Sequence, residues 1–178
     1  SYSGWILLFS PPFQLFHDTS CIDLDMITLN SLLQLDCIKH PLESTDPRGA
    51  INELINLLHE QGHVQDPEDV ADAVWKRELQ RTTGIGEGLA IPHGRCPSLE
   101  RVVAAVGYAA VPIDFKSNDG KPIQMLVLIV SPPDNTTEHV QALSAISRVL
   151  GNPVTRKEAF DSKSAESLHD VLCCSNSE

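Results

Sequence analysis

Residues 83–94 read Thr-Gly-Ile-Gly-Glu-Gly-Leu-Ala-Ile-Pro-His-Gly, a glycine-rich loop that leads into a short apolar segment and then a histidine. The apolar residues before His93 predict a short strand, and Gly94 permits unusual backbone angles directly after it. We therefore expect His93 to be displayed at a strand end rather than buried. An imidazole with a pKa near neutrality can act there as a nucleophile in its neutral form.

Two helices are predicted upstream of this segment. Asp46-Pro47 has the pattern of an N-cap and a first helical residue, and apolar residues follow at helical spacing until Gly62. A second start lies at Asp66-Pro67, with acidic residues in the first turn, and this helix is expected to run to about Gln80. The glycine-rich loop therefore follows a pair of helices.

Two strands are predicted downstream. Runs rich in apolar and β-branched residues lie at 102–110 and 123–130, and the turn residues Asn118-Asp119-Gly120 lie between them. The second run is almost continuously apolar, which is typical of a central strand with both faces buried. We expect helices to cover both of those faces.

Further helices are predicted after the strands. One that Thr136 can cap is expected to end at Gly151, and a last amphipathic segment carries Leu168 and Leu172. The order of helices, strands and helices predicts the α/β class, with a mixed β-sheet flanked by helices on both sides.

The charge of the chain excludes some classes of partner. Lys and Arg number 13 and Asp and Glu number 24, which gives a net charge of -11. This charge repels phosphate backbones and anionic lipid, and no apolar run approaches the roughly 20 residues that cross a bilayer. We therefore expect no nucleic acid binding and no membrane insertion.

The cysteines and the N-terminal stretch bear on the setting of the protein. Five cysteines form no Cys-x-x-Cys pair, so a reducing cytoplasm is the expected location. Residues 1–25 lack helical or alternating periodicity, and Met26 is the first Met. We expect residues 1–25 to be an extension, poorly ordered or non-native, and residues 26–178 to form one domain.

Two further motifs in the sequence match other families in part. The glycines match only part of a G-x-G-x-x-G dinucleotide motif, because Leu89 takes the place of its third glycine and a helix precedes the loop. His59-Glu60-Gln61-Gly62-His63 matches the H-E-x-x-H pattern of zinc peptidases. Because Gly62 is expected to end the helix, His63 would leave the helical face. We expect no metal site, whereas a zinc peptidase would lose bound metal in His59→Ala.

Residues 83–94 resemble the signature of the fructose, mannitol and nitrogen-regulatory IIA domains, the type-2 IIA family of the phosphoenolpyruvate-dependent phosphotransferase system (PTS). The similarity runs from about Met26 to Leu172. It includes the helix pair before the loop and the segments Gly120-Lys121-Pro122-Ile123, Ser131-Pro132-Pro133, Glu138-His139 and Lys163-Ser164-Ala165-Glu166. The resemblance implies a sandwich like that of the mannitol-specific IIA domain.

The resemblance also implies roles for single residues. His93 matches the phosphorylated histidine, His139 the second active-site histidine, and Arg77 the arginine that stabilises the phosphoryl group. Arg81 is a nearby rival for the role of Arg77. His139 lies in the first turn of the helix predicted from Thr136, where unpaired amides and the helix dipole favour an incoming phosphoryl group.

A phosphate loop is expected beside His93. Its glycines would let backbone amides approach a phosphoryl group closely, and a carboxylate in it would repel the phosphoryl group unless it orients Arg77 or a histidine. The residues expected in this loop are Thr83, Gly84, Gly86, Glu87 and Gly88. A backbone carbonyl of the loop is expected to hold the second ring nitrogen of His93.

The function implied is that of a phosphoryl carrier, which accepts phosphate from a histidine phosphocarrier protein onto His93. It would donate the group to a IIB domain or keep it as a regulatory signal, and no metal, nucleotide or other cofactor is expected. The nitrogen-regulatory role is favoured over sugar uptake, since no fused IIB or membrane domain is found. A non-catalytic interaction module is a third hypothesis, against which His93, His139 and Arg77 argue. A homo-oligomer is an open expectation.

Overall fold

The computed structural model of the protein describes residues 27–174. The predicted extension at residues 1–25 lies outside the described residues, as do the last four residues of the chain. Helix α1 (Leu29–Leu32), a 3-10 turn (Leu35–Cys37) and strand β1 (Ile38–Leu42) come first. The sequence had not predicted these three elements.

The two helices before the glycine-rich loop are confirmed. Helix α2 covers Pro47–Glu60 and helix α3 covers Pro67–Gln80, and each begins with proline at its first position. The side chain of Asp46 accepts a hydrogen bond from the Gly49 amide at 2.9 Å, and that of Asp66 accepts one from the Asp69 amide at 3.1 Å. Both helices therefore start where an N-cap aspartate satisfies an unpaired backbone donor.

The strands form one mixed six-stranded sheet. After β1 come β2 (Gly84–Gly86), β3 (Leu89–Ala90), β4 (His93–Arg95), β5 (Val103–Ile113) and β6 (Ile123–Ser131). The order across the sheet is β1-β5-β6-β3-β2, and β4 also pairs with β6, following β3 along the same edge. The β1–β5, β3–β6 and β4–β6 pairs are parallel, whereas β5–β6 and β2–β3 are antiparallel.

Strand β6 is the centre of the sheet, as its apolar composition predicted. It pairs with β5 on one edge and with β3 and β4 on the other, and eight of its nine residues are buried. The predicted turn between β5 and β6 is also confirmed, because the Gly120 amide donates to the Ser117 carbonyl at 2.9 Å. The glycine-rich loop is more ordered than expected, since it contains the hairpin of β2 and β3.

Helices α4 (Thr136–Gly151), α5 (Pro153–Asp161) and α6 (Ala165–Cys174) complete the fold. The predicted cap at Thr136 is wrong by one residue: Asn135 is the N-cap, and its side chain bonds to Glu138 instead of to the helix backbone. Helix α5 had not been predicted, although Asn152 caps it in front of a proline. Among residues 27–174, no helix is both long enough and apolar enough to cross a bilayer.

The helices cover both faces of the sheet, as predicted. Ala104 and Val106 of β5 line one small apolar cavity together with residues of α1, α4 and α6. The neighbouring Gly107 faces the opposite way, because a methyl group there would meet Leu54 of α2 at 3.0 Å. Helices α2 and α3 therefore pack on one face and α1, α4 and α6 on the other.

One close contact sets the position of α3 over the sheet. A methyl group on Gly94 would lie 3.1 Å from the backbone nitrogen and Cα of Val74 in α3. Only glycine allows the helix and β4 to approach so closely. The middle of α3 is thereby held beside the strand that begins with His93.

Candidate active site

A cleft of about 370 Å³ lies where the end of α3, the start of β2, the start of β4 and the middle of α4 meet. Cations, small loop residues and apolar side chains share its wall. The residues that line it are Arg77, Arg81, Thr82, Thr83, Gly84, Ile85, Ile91, His93, Asn118, Leu143 and Ser147. The structure thus brings together four of the predicted residues, Arg77, Thr83, Gly84 and His93, and the rival Arg81.

His93 is half-buried in this cleft, so the expectation of a displayed side chain is corrected. The reason is that β4 pairs with β6 and α3 crosses directly over Gly94. Its Nδ1 lies 2.8 Å from the carbonyl oxygen of Ile91, which confirms the expected backbone acceptor. Because a carbonyl can only accept, Nδ1 carries the hydrogen and Nε2 has its lone pair available. Within residues 27–174, Nε2 has no hydrogen-bond partner.

The surroundings of His93 favour its neutral form. Burial is the largest cause that lowers the pKa of His93, and the charges of Arg77 and Arg95 lower it further. The Ile91 carbonyl and the Glu78 carboxylate raise it, without reversing the direction. At neutral pH the imidazole is therefore predominantly uncharged.

His139 lies behind His93, in the first turn of α4. Its side chain is 4% exposed, its Nδ1 lies 2.7 Å from the Ser131 hydroxyl, and its ring centroid is 5.8 Å from that of His93. Burial, and after it the charges of Arg95 and His93, lower the pKa of His139 to about 4. His139 is neutral near pH 7, and Ser131, which sequence reasoning had not assigned to the site, fixes its ring.

Arginines stand on two sides of the histidines. Arg77 donates to the Arg81 carbonyl at 3.0 Å, which holds its guanidinium at the mouth of the cleft, and Arg81 also lines the cleft. Arg95 was missed by the sequence analysis, yet its charge acts on both histidines and it donates to the Thr136 hydroxyl at 3.2 Å. The position of Arg95 was a usable signal in the sequence. Arg95 follows His93 by two residues in a strand, so the two side chains lie on the same face of that strand.

The predicted phosphate loop is divided by the structure. Thr83 and Gly84 line the cleft, whereas Gly86 at the end of β2 and the turn residues Glu87 and Gly88 are not among its lining residues. All three of these residues have positive φ angles. The Glu87 amide donates to Asp119 at 2.9 Å, and the Glu87 carboxylate lies 3.6 Å from the Lys121 ammonium. The turn is therefore tied to the β5–β6 hairpin and not to His93.

The H-E-x-x-H segment does not have the geometry of a zinc peptidase. His59 is in α2, but the Gly62 amide donates to the His59 carbonyl and the His63 amide donates to that of Leu58, a Schellman ending. His63 is therefore off the helix. Nδ1 of His59 lies 2.7 Å from the Val64 carbonyl.

A different group of possible metal ligands lies near His63. Within residues 27–174, Asp36, Cys37 and His63 have ligand atoms within 4.8 Å of one another. Arg101 already donates to Nδ1 of His63 at 2.9 Å, which places a cation at this group. That contact disfavours a metal ion, because the guanidinium repels it and engages one of its ligands.

Comparison with known families agrees with this architecture. The family described as "Phosphoenolpyruvate-dependent sugar phosphotransferase system, EIIA 2" matches residues 31–173, from the end of α1 almost to the end of α6. The chain belongs to this family. PTS IIA domains are phosphotransferase components, and this membership confirms the resemblance noted in the sequence.

Relatives of this PTS IIA protein are named for two roles. A PTS system fructose-specific EIIA component of Haloferax volcanii is 32% identical over 149 residues, which cover 84% of this chain and 97% of the relative. A nitrogen regulatory protein of Bradyrhizobium diazoefficiens is 34% identical over 144 residues, 81% of this chain and 94% of the relative. The family therefore includes both sugar-specific and regulatory members at similar distance from this chain.

Solved structures confirm the predicted α/β sandwich. The nitrogen regulatory protein IIA-Ntr from Neisseria meningitidis superposes with a TM-score of 0.74 at 28% identity, over 81% of this chain and 98% of its own. Mannitol IIA from Escherichia coli superposes with a TM-score of 0.68 over 79% of this chain and 98% of its own. Its identity is 19%, so this second likeness concerns the fold alone.

Proposed function

We propose that this PTS IIA protein carries a phosphoryl group on Nε2 of His93. The group arrives from the phosphohistidine of a histidine phosphocarrier protein and leaves to a IIB domain, or it remains as a regulatory signal. The observation that carries the proposal is the state of one ring: Nδ1 of His93 is engaged by the Ile91 carbonyl, and Nε2 is available inside a cleft walled by arginines.

The transfer needs little covalent chemistry from the protein. The lone pair on Nε2 of His93 forms the new N–P bond while the P–N bond of the donor breaks, and the donor imidazole keeps the electron pair. Most of the catalytic effect in such a step comes from positioning and from charge stabilisation of the equatorial oxygens. Arg77 lies in the cleft where those oxygens would be, and a guanidinium matches them with paired N–H donors.

His139 acts as a second donor in this proposal. When the Ser131 hydroxyl donates to Nδ1 of His139, the hydrogen of the neutral ring is on Nε2, which can then bond a phosphoryl oxygen. The low pKa of His139 keeps the ring in this neutral form over the physiological range. A fixed neutral donor requires no proton uptake during the transfer.

The phosphocarrier as donor, and a IIB domain or a regulatory target as acceptor, are also proposals. The E. coli mannitol IIA enzyme has been solved in a complex with phosphorylated IIB. The nitrogen-regulatory preference stays a prediction, because relatives of both kinds match the chain at 32% and 34% identity. A cytoplasmic location belongs to the same proposal, since the donor chain of the PTS operates there.

The carrier function is tested by incubation with phosphoenolpyruvate, enzyme I and the histidine phosphocarrier protein, followed by intact-mass measurement at alkaline pH. We expect one acid-labile phosphoryl adduct on the wild type and none on His93→Ala. An unmodified wild type, with a donor shown to phosphorylate another IIA protein in the same mixture, would replace the carrier with the interaction-module hypothesis.

A second step separates sugar uptake from regulation. The phosphorylated protein is mixed with a purified fructose-type IIB domain, and loss of the adduct from this protein is followed together with its gain on the IIB domain. Transfer within the mixing time supports uptake. A stable adduct supports a regulatory role, whose acceptors are then sought by comparing which proteins bind the phosphorylated and unphosphorylated forms.

A further inference from the structure

Glu78 is a carboxylate of the last turn of α3 to which the proposed transfer has assigned no role. It follows Arg77 in sequence and is half-buried. Its two oxygens accept hydrogen bonds from the Thr83 amide at 3.0 and 3.2 Å, and one of them also accepts the Thr83 hydroxyl. The amide and the hydroxyl of Thr83 therefore both donate to the Glu78 carboxylate.

Thr83 is the residue through which this contact reaches the cleft. It is 5% exposed, lines the cleft with His93, and directly precedes the first residue of β2. Hydrogen bonds to an ionised acceptor are stronger than neutral ones, and losing one partner leaves the other without compensation in a dry site. Glu78 thus ties the entry of the loop to the helix that carries Arg77.

The charge of Glu78 also acts on the nucleophile. The charged and titratable groups facing His93 are Arg77 and Glu78 from α3, Arg95 from its own strand, and His139 from α4. The two arginines lower the pKa of His93, whereas Glu78 raises it. Among the described side chains that act on His93 by charge, Glu78 is the negative one.

We propose that Glu78 is a positioning residue of the His93 site, which holds Thr83 in place and keeps a negative charge beside the nucleophile. The proposal rests on the carrier function above. The negative charge of Glu78 helps because a more basic ring is a better nucleophile. With arginines alone around it, the His93 ring would have a lower pKa and would be a weaker nucleophile. The arginines can therefore serve the phosphoryl oxygens without lowering the reactivity of the ring as far as they otherwise would.

Three variants separate the two parts of this role. Glu78→Gln removes the charge and keeps one acceptor, Glu78→Asp keeps the charge and shortens the reach to Thr83, and Thr83→Val removes the hydroxyl alone. Glu68→Gln, at the exposed start of the same helix, is the matched control for a change of charge on α3. Amide NMR spectra of each variant establish that it folds.

The first readout is the NMR titration of the His93 ring, which needs no phosphoryl donor. We expect a lower pKa for His93 in Glu78→Gln, and a wild-type pKa in Thr83→Val and Glu68→Gln. The second readout is the rate of phosphorylation against pH. We expect the plateau rate to fall at least about tenfold in Glu78→Gln and Glu78→Asp, which is the effect of losing one charge-assisted hydrogen bond. The inflection should move to lower pH in Glu78→Gln alone.

The outcomes are separable. An unchanged pKa of His93 in Glu78→Gln removes the electrostatic part, and wild-type plateau rates in both Glu78 variants remove the positioning part. A plateau that falls with no shift of the inflection in Glu78→Gln would show a structural role only and overturn the proposal. If the wild type takes up no phosphoryl group, the carrier function fails, and the NMR titration still decides whether Glu78 sets the pKa of His93.

Discussion

Two pairs of histidines in this molecule differ in their separation along the chain and in their arrangement in the structure. His59 and His63 are four residues apart in a recognisable motif, yet only His59 lies in α2, because the helix ends before His63. His93 and His139 are distant in the chain and belong to different elements, yet their ring centroids lie 5.8 Å apart. Motif spacing alone therefore predicts which two side chains meet less reliably than the packing of the elements that carry them.

The environments of the two pairs differ as much as their geometry. His59 is exposed at a helix end, whereas His93 is half-buried and His139 almost fully buried. Burial lowers the pKa values of His93 and His139, and arginine charges lower them further. His93 and His139 are both neutral, and hydrogen bonds fix the orientation of both rings. Neither property follows from the residue type.

The largest expected effect is on phosphoryl uptake, and it distinguishes the His93 and His139 pair from the His59 and His63 pair. His93→Ala is expected to lose all phosphoryl uptake, because it removes the atom that bonds to phosphorus, while His59→Ala keeps the wild-type amount. Intact mass at alkaline pH measures both variants in parallel. Normal uptake by His93→Ala would place the acceptor elsewhere and break the comparison.

His139 should have the next largest effect. His139→Ala is expected to slow phosphoryl transfer about 10²-fold, the typical cost of one preorganised donor, and His63→Ala to leave the rate unchanged. Rapid-quench measurement of the rate from the phosphocarrier checks this. A His139→Ala rate within a factor of about two of the wild type would reduce His139 to a packing role.

Acid should destabilise the fold through His139. The pKa of His139 is about 4 in the folded protein against an ordinary 6.5, so the unfolded state binds more protons between these values. Stability is then full above about pH 6.5 and falls as the pH drops towards 4, by up to about 3 kcal/mol from this residue. Urea unfolding across this range should show a shallower loss in His139→Gln, with His59→Ala as the control. Equal slopes in all three proteins would contradict the buried, neutral assignment.

The smallest expected effect concerns the end of α2. Gly62 has φ +77°, and a methyl group added there would have no neighbouring atom within 4 Å, so Gly62→Ala meets backbone strain but no clash. We expect a loss of about 1 kcal/mol in the free energy of unfolding, and no change in phosphoryl uptake. Chemical denaturation measures the free energy of unfolding, and the mass assay measures phosphoryl uptake. A change in uptake would show that the His59 and His63 region communicates with the cleft.

Much of the fold was predictable because the signals were local. Asp46-Pro47 and Asp66-Pro67 predicted the starts of α2 and α3 to the residue, and the apolar run of β6 predicted its central place. Strand β1 was missed because it contains polar residues and Pro41, and its hydrogen bonds come from β5 alone. Asn152-Pro153 has a cap signal like those of the other two starts, although no helix had been predicted there.

The site was predictable in part. The segment that ends in His93 indicated the loop, the strand and the backbone acceptor for Nδ1, and the structure confirms this local geometry. Glu87, which was expected in the phosphate loop, does not line the cleft, and its amide and carboxylate contact Asp119 and Lys121 instead. Arg95, Ser131 and Glu78 had no predicted role. The spacing of Arg95 from His93 was a usable signal, but the contact of Ser131 with His139 joins β6 to α4, and that of Glu78 with Thr83 depends on the path of the backbone out of α3.

The sequence by itself determined the family, the order of elements and the histidine to suspect, since caps, glycines and apolar runs act on their immediate neighbours. Only the tertiary structure decided how the groups around that histidine meet. The close approach of α3 over Gly94 and the pairing of β4 with β6 bring Arg77, Glu78 and His139 around one ring. The physical reason is that burial, ring orientation and charge at a site depend on distances between elements, which no local pattern encodes.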